Sequence, residues 1–338
     1  MTVTIKDIAK ILNVSHTTVS RALNNSPLIS DETKKRILET AKQLNYVPNY
    51  SAKSLVQNRS YNIGLFFSTI TQVTSPGFFY ETVRGVHSVI TDNYNLVVNG
   101  IDNYKDFQSI DTKRFDGIIL MSQSEKDNAL VYHALDRHIP IVVLNREIAD
   151  AGIVNILSAD RRGAYHAVTH LIENGHVKIA IIEGEKGFQA TTERKEGFLT
   201  ALIDKQIPIH GDYIVEGNYT MESGYTAMKQ LLRTSHPPTA VFSFNDEMAV
   251  GAMKAIFEAG LRIPQDISLV GFDDRQFSSY MTPSLTTVRR AISEVGRAGA
   301  KKLLSIIDNN DYVGQKVYID TQFIRRESVG PAPNEQSK

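Results

Sequence analysis

The pattern of apolar and polar positions along the first 46 residues predicts three helices. Apolar residues at helical spacing mark the buried face of the first helix: Ile5, Ile8, Ala9 and Leu12. Thr4 and Asp7 have the spacing of a capping box at its start. After a turn at Asn13-Val14, Ser15 is placed to cap a second helix.

The second predicted helix has an apolar and a polar face. Val19, Ala22 and Leu23 point inward, which leaves four polar side chains outside: His16, Thr17, Ser20 and Arg21. A plain three-helix bundle explains the apolar spacing but not this polar start, which is typical of a helix that enters the DNA major groove. The third helix opens at Ser30-Asp31-Glu32, where the helix dipole favours acids. Its apolar positions are Ile37, Leu38, Ala41 and Leu44.

From residue 61 onward, short apolar runs alternate with amphipathic helical patterns. The predicted strands are Ile63–Phe67, Leu96–Gly100, Gly117–Met121, Ile141–Leu144, Lys178–Ile182, Ala240–Phe244, Ser268–Gly271 and Ser284–Val288. Helices are predicted near 79–92, 162–174, 191–205, 221–233, 247–259 and 292–307. This alternation predicts an α/β fold with parallel sheets covered on both faces. The 278 residues after position 60 are more than one open sheet usually needs, so we expect two lobes with a ligand cleft between them.

Charge is distributed unevenly between the two ends of the chain. Residues 1–60 carry nine Lys and Arg against four Asp and Glu, a net +5. Because the whole chain sums to zero, the remainder carries −5. A basic head on a mildly acidic body is the pattern expected when only one end binds phosphates.

Little catalytic chemistry is evident in the body. The chain has no cysteine, which excludes thiol nucleophiles and disulfides, and no phosphate-binding glycine loop ending in Lys-Ser or Lys-Thr. His166 and His170 are four residues apart but lack the glutamate of a zinc-protease helix, so we expect a structural role and no metal site. No apolar stretch in residues 1–30 resembles a signal peptide, and no transmembrane run occurs. We therefore expect a cytoplasmic, nucleoid-associated protein without a cofactor.

The head and the segment after it match a more specific pattern. Its elements are Ile5-Lys-Asp-Ile-Ala9, Val14-Ser15, Thr18-Val-Ser-Arg21 and Leu23-Asn24, followed by Tyr46-x-Pro48-Asn49-x-x-Ala52-x-x-Leu55. This pattern resembles the lactose-repressor (LacI/GalR) family of bacterial transcription regulators, without gaps over about the first 60 residues. The resemblance implies a helix-turn-helix head over residues 1–46, a hinge-helix linker over 47–60, a two-lobed periplasmic-binding-protein-like effector body over 61–330 and a polar tail over 331–338.

The resemblance also implies which residues contact DNA. They are Thr4, Ser15, His16, Thr17, Ser20, Arg21, Asn24, Asn49, Ala52 and Leu55. His16 and Thr17 stand where the family reads bases, and His16 differs from several relatives, so the operator sequence cannot be copied from them. Leu55 matches the hinge-helix leucine that wedges into a central base step of the minor groove and bends the duplex.

The same resemblance implies an effector site made of six residues. They are Asn145, Asp160, Arg194, Tyr219, Asn245 and Asp273. Bidentate polar groups would bind vicinal hydroxyls of a sugar and Tyr219 would face its ring, while Asp246 would act as a helix-capping partner. The loop over residues 68–77 is longer than in many family members and rich in hydroxyl groups, which favours an oligosaccharide effector. A surface insertion without ligand contact is the alternative.

The resulting prediction is a regulator, a repressor of carbohydrate-use genes, and not an enzyme. It would bind near-palindromic operator DNA as a homodimer, and a sugar in the cleft would change its operator affinity. The sequence leaves open the sign of that effect and a phosphocarrier protein as corepressor. A solute-binding protein or a sugar-processing enzyme with the same body remains the alternative.

Overall fold

The computed structural model describes residues 3–23, 26–44, 46, 59–70, 75–90, 94–150, 152–309 and 313–333. The chain divides into two compact units, Met1–Arg59 and Ser60–Lys338. Most of the predicted hinge, residues 47–58, lies outside the described residues.

Within its described residues, the first unit, the head, contains three helices: α1 (Ile5–Leu12), α2 (His16–Leu23) and α3 (Asp31–Gln43). The backbone N–H of Thr4 donates to Asp7 Oδ2 at 2.8 Å, as the capping box requires. Asn13 adopts the left-handed conformation, with φ of 51°, and ends α1. The Ser15 hydroxyl then accepts from the N–H of Thr18 at 3.0 Å, so both predicted caps of α1 and α2 are present.

A small apolar core joins the three helices of the head. Its buried members are Ile8, Ala9, Val19, Ala22, Ile37 and Ala41. Leu23 and Leu44 pack against this core while remaining half-buried. The prediction for Leu38 was wrong: it is 51% exposed, because the residue after Ile37 is rotated away from the face that Ile37 and Ala41 share.

The second unit, the body, contains two parallel sheets, as the sequence predicted. The first sheet has the order β11-β5-β4-β3-β1-β2. Its strands are β1 (Asn62–Phe67), β2 (Asn95–Gly100), β3 (Gly117–Met121), β4 (Ile141–Leu144), β5 (Val154–Ser158) and β11 (Gln315–Ile319). Among the described residues of this lobe are three α-helices: α4 (Pro76–His87), α5 (Asn128–Asp136) and α10 (Ile292–Asn309). Helices α4 and α10 pack against each other, and Gly85 permits their close approach because a Cβ there would overlap the Ser293 carbonyl.

The second sheet of the body has the order β7-β6-β8-β9. Its strands are β6 (Ile179–Ile182), β7 (Ile214–Val215), β8 (Ala240–Ser243) and β9 (Ser268–Val270). Around it lie α6 (Asp160–Glu173), α7 (Gln189–Asp204), α8 (Met221–Leu232) and α9 (Asp246–Glu258). A separate antiparallel pair is formed by β10 (Thr287–Arg290) and β12 (Thr321–Ile324). Within the described ranges, no helix is long and apolar enough to cross a membrane.

The structure moves some predicted boundaries and adds elements. The predicted strand Ser284–Val288 is instead β10, over Thr287–Arg290, and it is antiparallel to β12. Helix α4 begins at Pro76, three residues before the predicted start, because the Ser75 hydroxyl accepts from the Phe78 N–H. The sequence reading missed α5, β5, β7, β11 and β12. Strand β11 lies at a sheet edge with largely exposed side chains, so it lacks a continuous apolar run.

Candidate functional sites

The outer face of α2 presents the polar residues that the sequence singled out. His16, Thr17 and Arg21 are exposed, while Ser20 is half-buried. Val19 and Ala22 on the opposite face anchor the helix in the head core. A capped helix with a buried apolar face and exposed polar side chains near its start is suited to insertion into a DNA groove.

The other predicted DNA contacts fall into two sets. Thr4 and Ser15 lie at the N-termini of α1 and α2, where both are exposed. Helix N-termini are favourable positions for phosphate oxygens. Four predicted contacts lie outside the described residues: Asn24, Asn49, Ala52 and Leu55.

In the body, one cavity lies at the carboxyl ends of strands from both sheets. Its cavity volume is about 60 Å³. Gln123 and Asn145 follow strands of the first sheet, and Asn245 and Asp273 follow strands of the second. The complete lining is Ser75, Phe78, Gln123, Asn145, Phe188, Ala190, Arg194, Tyr219, Asn245, Asp273, Arg275 and Arg290. A ligand here would contact both lobes, as expected of a cleft in this architecture.

A buried ion network forms one wall of the cleft. Arg194, which is 2% exposed, donates through Nε to Asp160 Oδ2 at 3.0 Å. The other oxygen of Asp160 lies 2.9 Å from Nε of Arg290. Although burial alone would raise it, the two arginines hold the pKa of Asp160 below its ordinary value, Arg290 having the larger effect. The carboxylate is therefore ionised and lies between the two guanidinium groups, as an ion pair with each.

Arg194 also contacts residues that follow two strands of the second lobe, β8 and β9. Its Nη1 donates to the carbonyl oxygen of Phe244, and its guanidinium lies 3.9 Å from the ring centroid of Phe272. Its Nη2 lies 3.5 Å from Asp273 Oδ1. A charged group constrained on so many sides has one orientation, which suits it to a defined hydrogen-bond geometry with a ligand.

Asp246 lies beneath the cleft floor and supports it. It accepts hydrogen bonds from the hydroxyls of Thr287 at 2.6 Å and Ser278 at 2.7 Å, and from the N–H of Arg275 at 2.7 Å. Burial, together with the nearby Asp273, raises the pKa of Asp246 to about 7 against the effect of these bonds. Its position is that of a structural support for the segment 271–278, not of a group that faces the cavity.

Asn245 connects the second sheet to α9. Its Oδ1 accepts from the Met248 N–H at 2.9 Å, so Asn245 is the N-cap of α9. The resemblance had suggested Asp246 for that capping role. Asn245 Nδ2 donates to the carbonyl of Tyr219 at 2.9 Å. Asn245 is 3% exposed, so much of its hydrogen-bonding capacity is used within the protein.

Aromatic rings form another part of the cavity lining. Phe188 and Tyr219 are stacked, with centroids 6.1 Å apart and planes 22° from parallel. The Tyr219 hydroxyl bonds to Thr191 Oγ1 at 2.8 Å, which fixes the ring. Burial raises the pKa of Tyr219, so its phenol is neutral. Flat apolar faces beside hydroxyl-binding groups match the two-sided character of a sugar ring.

Backbone conformation at the cleft is unusual. Three lining residues have positive φ: Asn145 at 70°, Tyr219 at 68° and Asp273 at 108°. The next residue, Asp274, has a φ of 56°. Left-handed non-glycine residues cost free energy and concentrate at functional sites, where the surrounding structure holds them. Their clustering supports the cleft as the ligand site of the body.

Comparison with known proteins decides the family. The profile described as "Bacterial regulatory proteins, lacI family" matches residues 4–49, and "Periplasmic binding protein-like domain" matches residues 168–329. The chain is 55% identical over 327 residues to the "Probable HTH-type transcriptional repressor ExuR" of Bacillus subtilis strain 168, covering 97% of this chain and 98% of that protein. The chain belongs to the lacI family of bacterial regulatory proteins.

Solved structures agree with this lacI-family assignment. The lac repressor dimer bound to operator and the anti-inducer ONPF matches with a TM-score of 0.80 at 26% identity, covering 98% of this chain and 100% of that chain. The transcriptional regulator CelR in complex with cellobiose matches with a TM-score of 0.74 at 26% identity, covering 96% and 99%. This lacI-family chain is therefore a DNA-binding transcriptional regulator, and the predicted fold class is confirmed.

The structure brings most of the predicted effector residues of this lacI-family regulator together. Asn145, Arg194, Tyr219, Asn245 and Asp273 line the main cavity. Asp160 instead lines a smaller neighbouring pocket, because both of its oxygens are turned toward arginines. Their contact with a ligand remains a prediction.

The sequence reading missed several side chains of the cavity. Gln123 and Arg275 each follow a strand by a few residues. Their position after a strand end was the feature of the sequence that could have identified them as cavity residues. Arg290 lies at the end of β10, whose boundaries the sequence misplaced. Ser75 and Phe78 lie at the start of α4 and line the cavity. The long loop over residues 68–77 therefore reaches the cavity at Ser75. Residues 71–74 of this loop lie outside the described residues.

Proposed function

We propose that this regulator is a repressor that binds operator DNA as a homodimer and whose operator affinity is controlled by a sugar in the cleft. The exposed polar face of the capped helix α2 supports DNA recognition. The cavity lined from both lobes supports control by a small ligand. The CelR match, a complex with cellobiose, supports a sugar as that ligand.

The homodimer follows from the geometry of reading DNA with one helix. One α2 covers a single half-site, so two copies are needed for a near-palindromic operator. The lac repressor match is a dimer bound to operator. His16, Thr17, Ser20 and Arg21 would contact DNA from each head, with Thr4 and Ser15 near phosphates. Asn24, Asn49, Ala52 and Leu55 complete the proposed set.

Coupling between the sites requires that the ligand prefer one arrangement of the lobes. The contacts that already join the lobes across the cleft include a bond from Arg290 Nη2 to Asn145 Oδ1 at 2.6 Å and one from the Glu147 N–H to Gln189 Oε1 at 2.7 Å. A ligand that touches both walls would stabilise or replace these contacts. The lobe arrangement would then set the spacing of the paired heads on DNA. Such a cytoplasmic regulator needs no catalytic group.

Operator binding measured by fluorescence anisotropy tests this function. DNA from the region upstream of the chain's own gene is titrated at physiological salt, with and without a panel of sugars. We expect a site bound at least a thousandfold more tightly than random DNA. A sugar that lowers the affinity is an inducer, and one that raises it is a corepressor. Equal affinity for upstream and random DNA in every condition would contradict the proposal.

Substitutions in α2 separate base reading from general DNA affinity. His16→Ala and Thr17→Ala should each weaken binding to the specific site by about 1–3 kcal/mol while leaving binding to random DNA nearly unchanged. Gln43→Ala, at an exposed position of α3, is the matched control and should change neither. An equal loss on specific and random DNA would indicate phosphate contacts instead of base contacts.

A further inference from the structure

One contact between the lobes lies beside the cavity without forming part of its lining. Gln189 is the first residue of α7 in the second lobe, and its Oε1 accepts from the Glu147 N–H of the first lobe at 2.7 Å. Its backbone N–H donates to the carbonyl oxygen of Gln123, also in the first lobe, at 3.3 Å. Its neighbours Phe188 and Ala190 line the cavity, whereas Gln189 is absent from that lining in the described part of the chain. These two hydrogen bonds are called the Gln189 latch.

The first-lobe side of the Gln189 latch is held by its own lobe. Asp127, which is 3% exposed, accepts from the Gln123 N–H at 3.0 Å and so fixes the backbone beside the carbonyl that the latch uses. The Glu147 carboxylate lies 2.6 Å from Lys316 Nζ, so this side chain is paired within the first lobe. The first lobe therefore presents one carbonyl oxygen and one N–H at fixed positions, and the latch forms when α7 is brought against them.

The second-lobe side of the latch moves with the helix that carries Arg194. Helix α7 runs over Gln189–Asp204, and Arg194 is buried five residues after its start. The first N–H groups of a helix have no partner within the helix, so the Gln189 N–H would bond to water if the lobes were open. Closing the lobes exchanges bonds to water for bonds between lobes, which gains little net free energy per bond. A contact of that strength biases two lobe arrangements without locking either.

Two further polar contacts between the lobes involve the cavity lining itself. Arg290 donates to Asn145, Arg275 donates to Ser75, and all four residues line the cavity. A substitution at any of them would alter ligand contact and lobe closure at once. A change at Gln189, by contrast, alters closure while the side chains that line the cavity stay the same.

We propose that Gln189 is a positioning residue for regulation: the Gln189 latch favours the closed arrangement of the lobes and so sets operator affinity before an effector is bound. This deepens the proposed function and rests on it. An effector that contacts both walls favours the same closed arrangement. Losing the latch should therefore move ligand-free operator affinity in the direction opposite to that in which an effector moves it. The effector should also bind more weakly, in proportion to the loss of the closed population.

Spin labels measure the lobe arrangement directly. The sequence has no cysteine, so Lys126→Cys and Lys186→Cys place one label in each lobe, at exposed positions that follow β3 and β6. The labelled full chain is mixed with excess unlabelled chain, and the distance within one subunit is measured by pulsed electron paramagnetic resonance without ligand. In Gln189→Ala the ratio of closed to open lobes should fall roughly twofold to tenfold, the range for one hydrogen bond.

Two further variants identify the acceptor oxygen as the cause. Gln189→Glu keeps an oxygen at the same reach and should retain the wild-type ratio, since a carboxylate is also favoured at a helix N-terminus. Gln230→Ala removes an equivalent side chain from an exposed position of α8 in the same lobe, and it should leave the ratio unchanged. Thermal unfolding verifies that each variant is folded.

Operator binding by the same variants connects the latch to regulation. Fluorescence anisotropy without ligand should show a shift of roughly twofold to tenfold in Gln189→Ala, and none in Gln189→Glu or Gln230→Ala. The shift should be opposite to the one that the active sugar of the panel produces in wild type.

The Gln189 proposal is overturned by an unchanged ratio of closed to open lobes in Gln189→Ala, or by the same loss in Gln189→Glu. A shift of operator affinity in the direction of the sugar effect overturns it as well. If wild type binds operator normally while the ratio does not respond, only the latch is wrong. If wild type does not distinguish upstream from random DNA, or if the ratio changes while operator affinity does not, the proposed function is wrong.

Discussion

At the scale of single residues, buried charge is concentrated around the cleft. Asp160 and Arg194 are 3% and 2% exposed, and both are held by several partners. Desolvating a pair of charges is expensive, so such a pair adds little net stability, but removing one partner leaves the other buried and uncompensated. The sequence identified Arg194 and Asp160 as cleft residues, while their mutual pairing depends on two helices that the fold brings together.

We expect Arg194→Gln to lower the free energy of unfolding by about 3 kcal/mol, near the lower end for breaking a buried pair, because Asp160 keeps Arg290 as a partner. Urea denaturation followed by circular dichroism measures the change. Arg262→Gln removes an exposed, salt-bridged arginine and should change stability by no more than about 0.5 kcal/mol. Equal stability of the two variants would contradict the interpretation of the buried network.

Asp246 should make stability depend on pH. Its pKa of about 7 in the folded protein is above the ordinary value of 3.8, so its stabilising contribution is complete below pH 4 and is lost as the pH rises through 7. The stability of wild type relative to Asp246→Asn should therefore fall between pH 5 and 7, by at most roughly 1.4 kcal/mol per pH unit, and level off above 7.

Thermal unfolding at pH 5, 6, 7 and 8 measures this difference. Glu247→Gln is measured in parallel, because burial also raises the pKa of the neighbouring Glu247. A wild-type minus Asp246→Asn difference that stays constant over the whole range would show that Asp246 does not titrate there.

At the scale of elements, local caps determine where the helices of the head begin. Thr4, Ser15 and Ser30 each precede a helix, and the structure starts α1, α2 and α3 directly after them. These boundaries were predictable because a cap acts through groups three residues away. Helix α4 was predicted too late, although Ser75-Pro76 carries the same kind of signal, because the apolar pattern was followed instead of the cap.

Removing a cap should destabilise the head without disturbing the body. Ser15→Ala should lower head stability by about 1 kcal/mol, since the Thr18 N–H loses its acceptor at 3.0 Å. Ser30→Ala should cost less, because its bond to the Thr33 N–H is longer, at 3.4 Å. The melting of the head is followed by nuclear magnetic resonance of its amide protons.

Glu39→Ala, at an exposed position inside α3, is the control for the cap substitutions and should be neutral or slightly stabilising. An effect of Ser15→Ala no larger than that of Glu39→Ala would mean that the cap does not stabilise α2.

At the scale of the whole molecule, two sites with different electrostatics share one chain. The first 60 residues carry +5 and the remainder −5. In the cleft, by contrast, the arginines lie among Asp160, Asp273 and Glu247, so few solvent counterions would be displaced when a ligand binds. The two binding reactions should therefore respond to salt very differently.

Operator affinity should fall steeply with salt, by about 10³ or more between 50 and 200 mM if a dimer neutralises six to ten phosphates. Effector affinity over the same range should change less than about tenfold, because the cleft charges are buried or partly buried and are screened less. Anisotropy with operator DNA and calorimetry with the sugar measure the two slopes. A shallow operator slope would contradict phosphate binding by the basic head.

The sequence by itself determined the helices of the head, the polar face of α2 and the parallel α/β class, which depend on local periodicity and on caps. Five side chains of the cavity were implied by the family resemblance that the sequence carries. Tertiary structure decided which charges meet. Arg275 reaches Ser75, 200 positions earlier in the chain, and Arg290 reaches Asn145 across the cleft. Such contacts depend on how two sheets and their connections are arranged in space, and no local pattern encodes that arrangement.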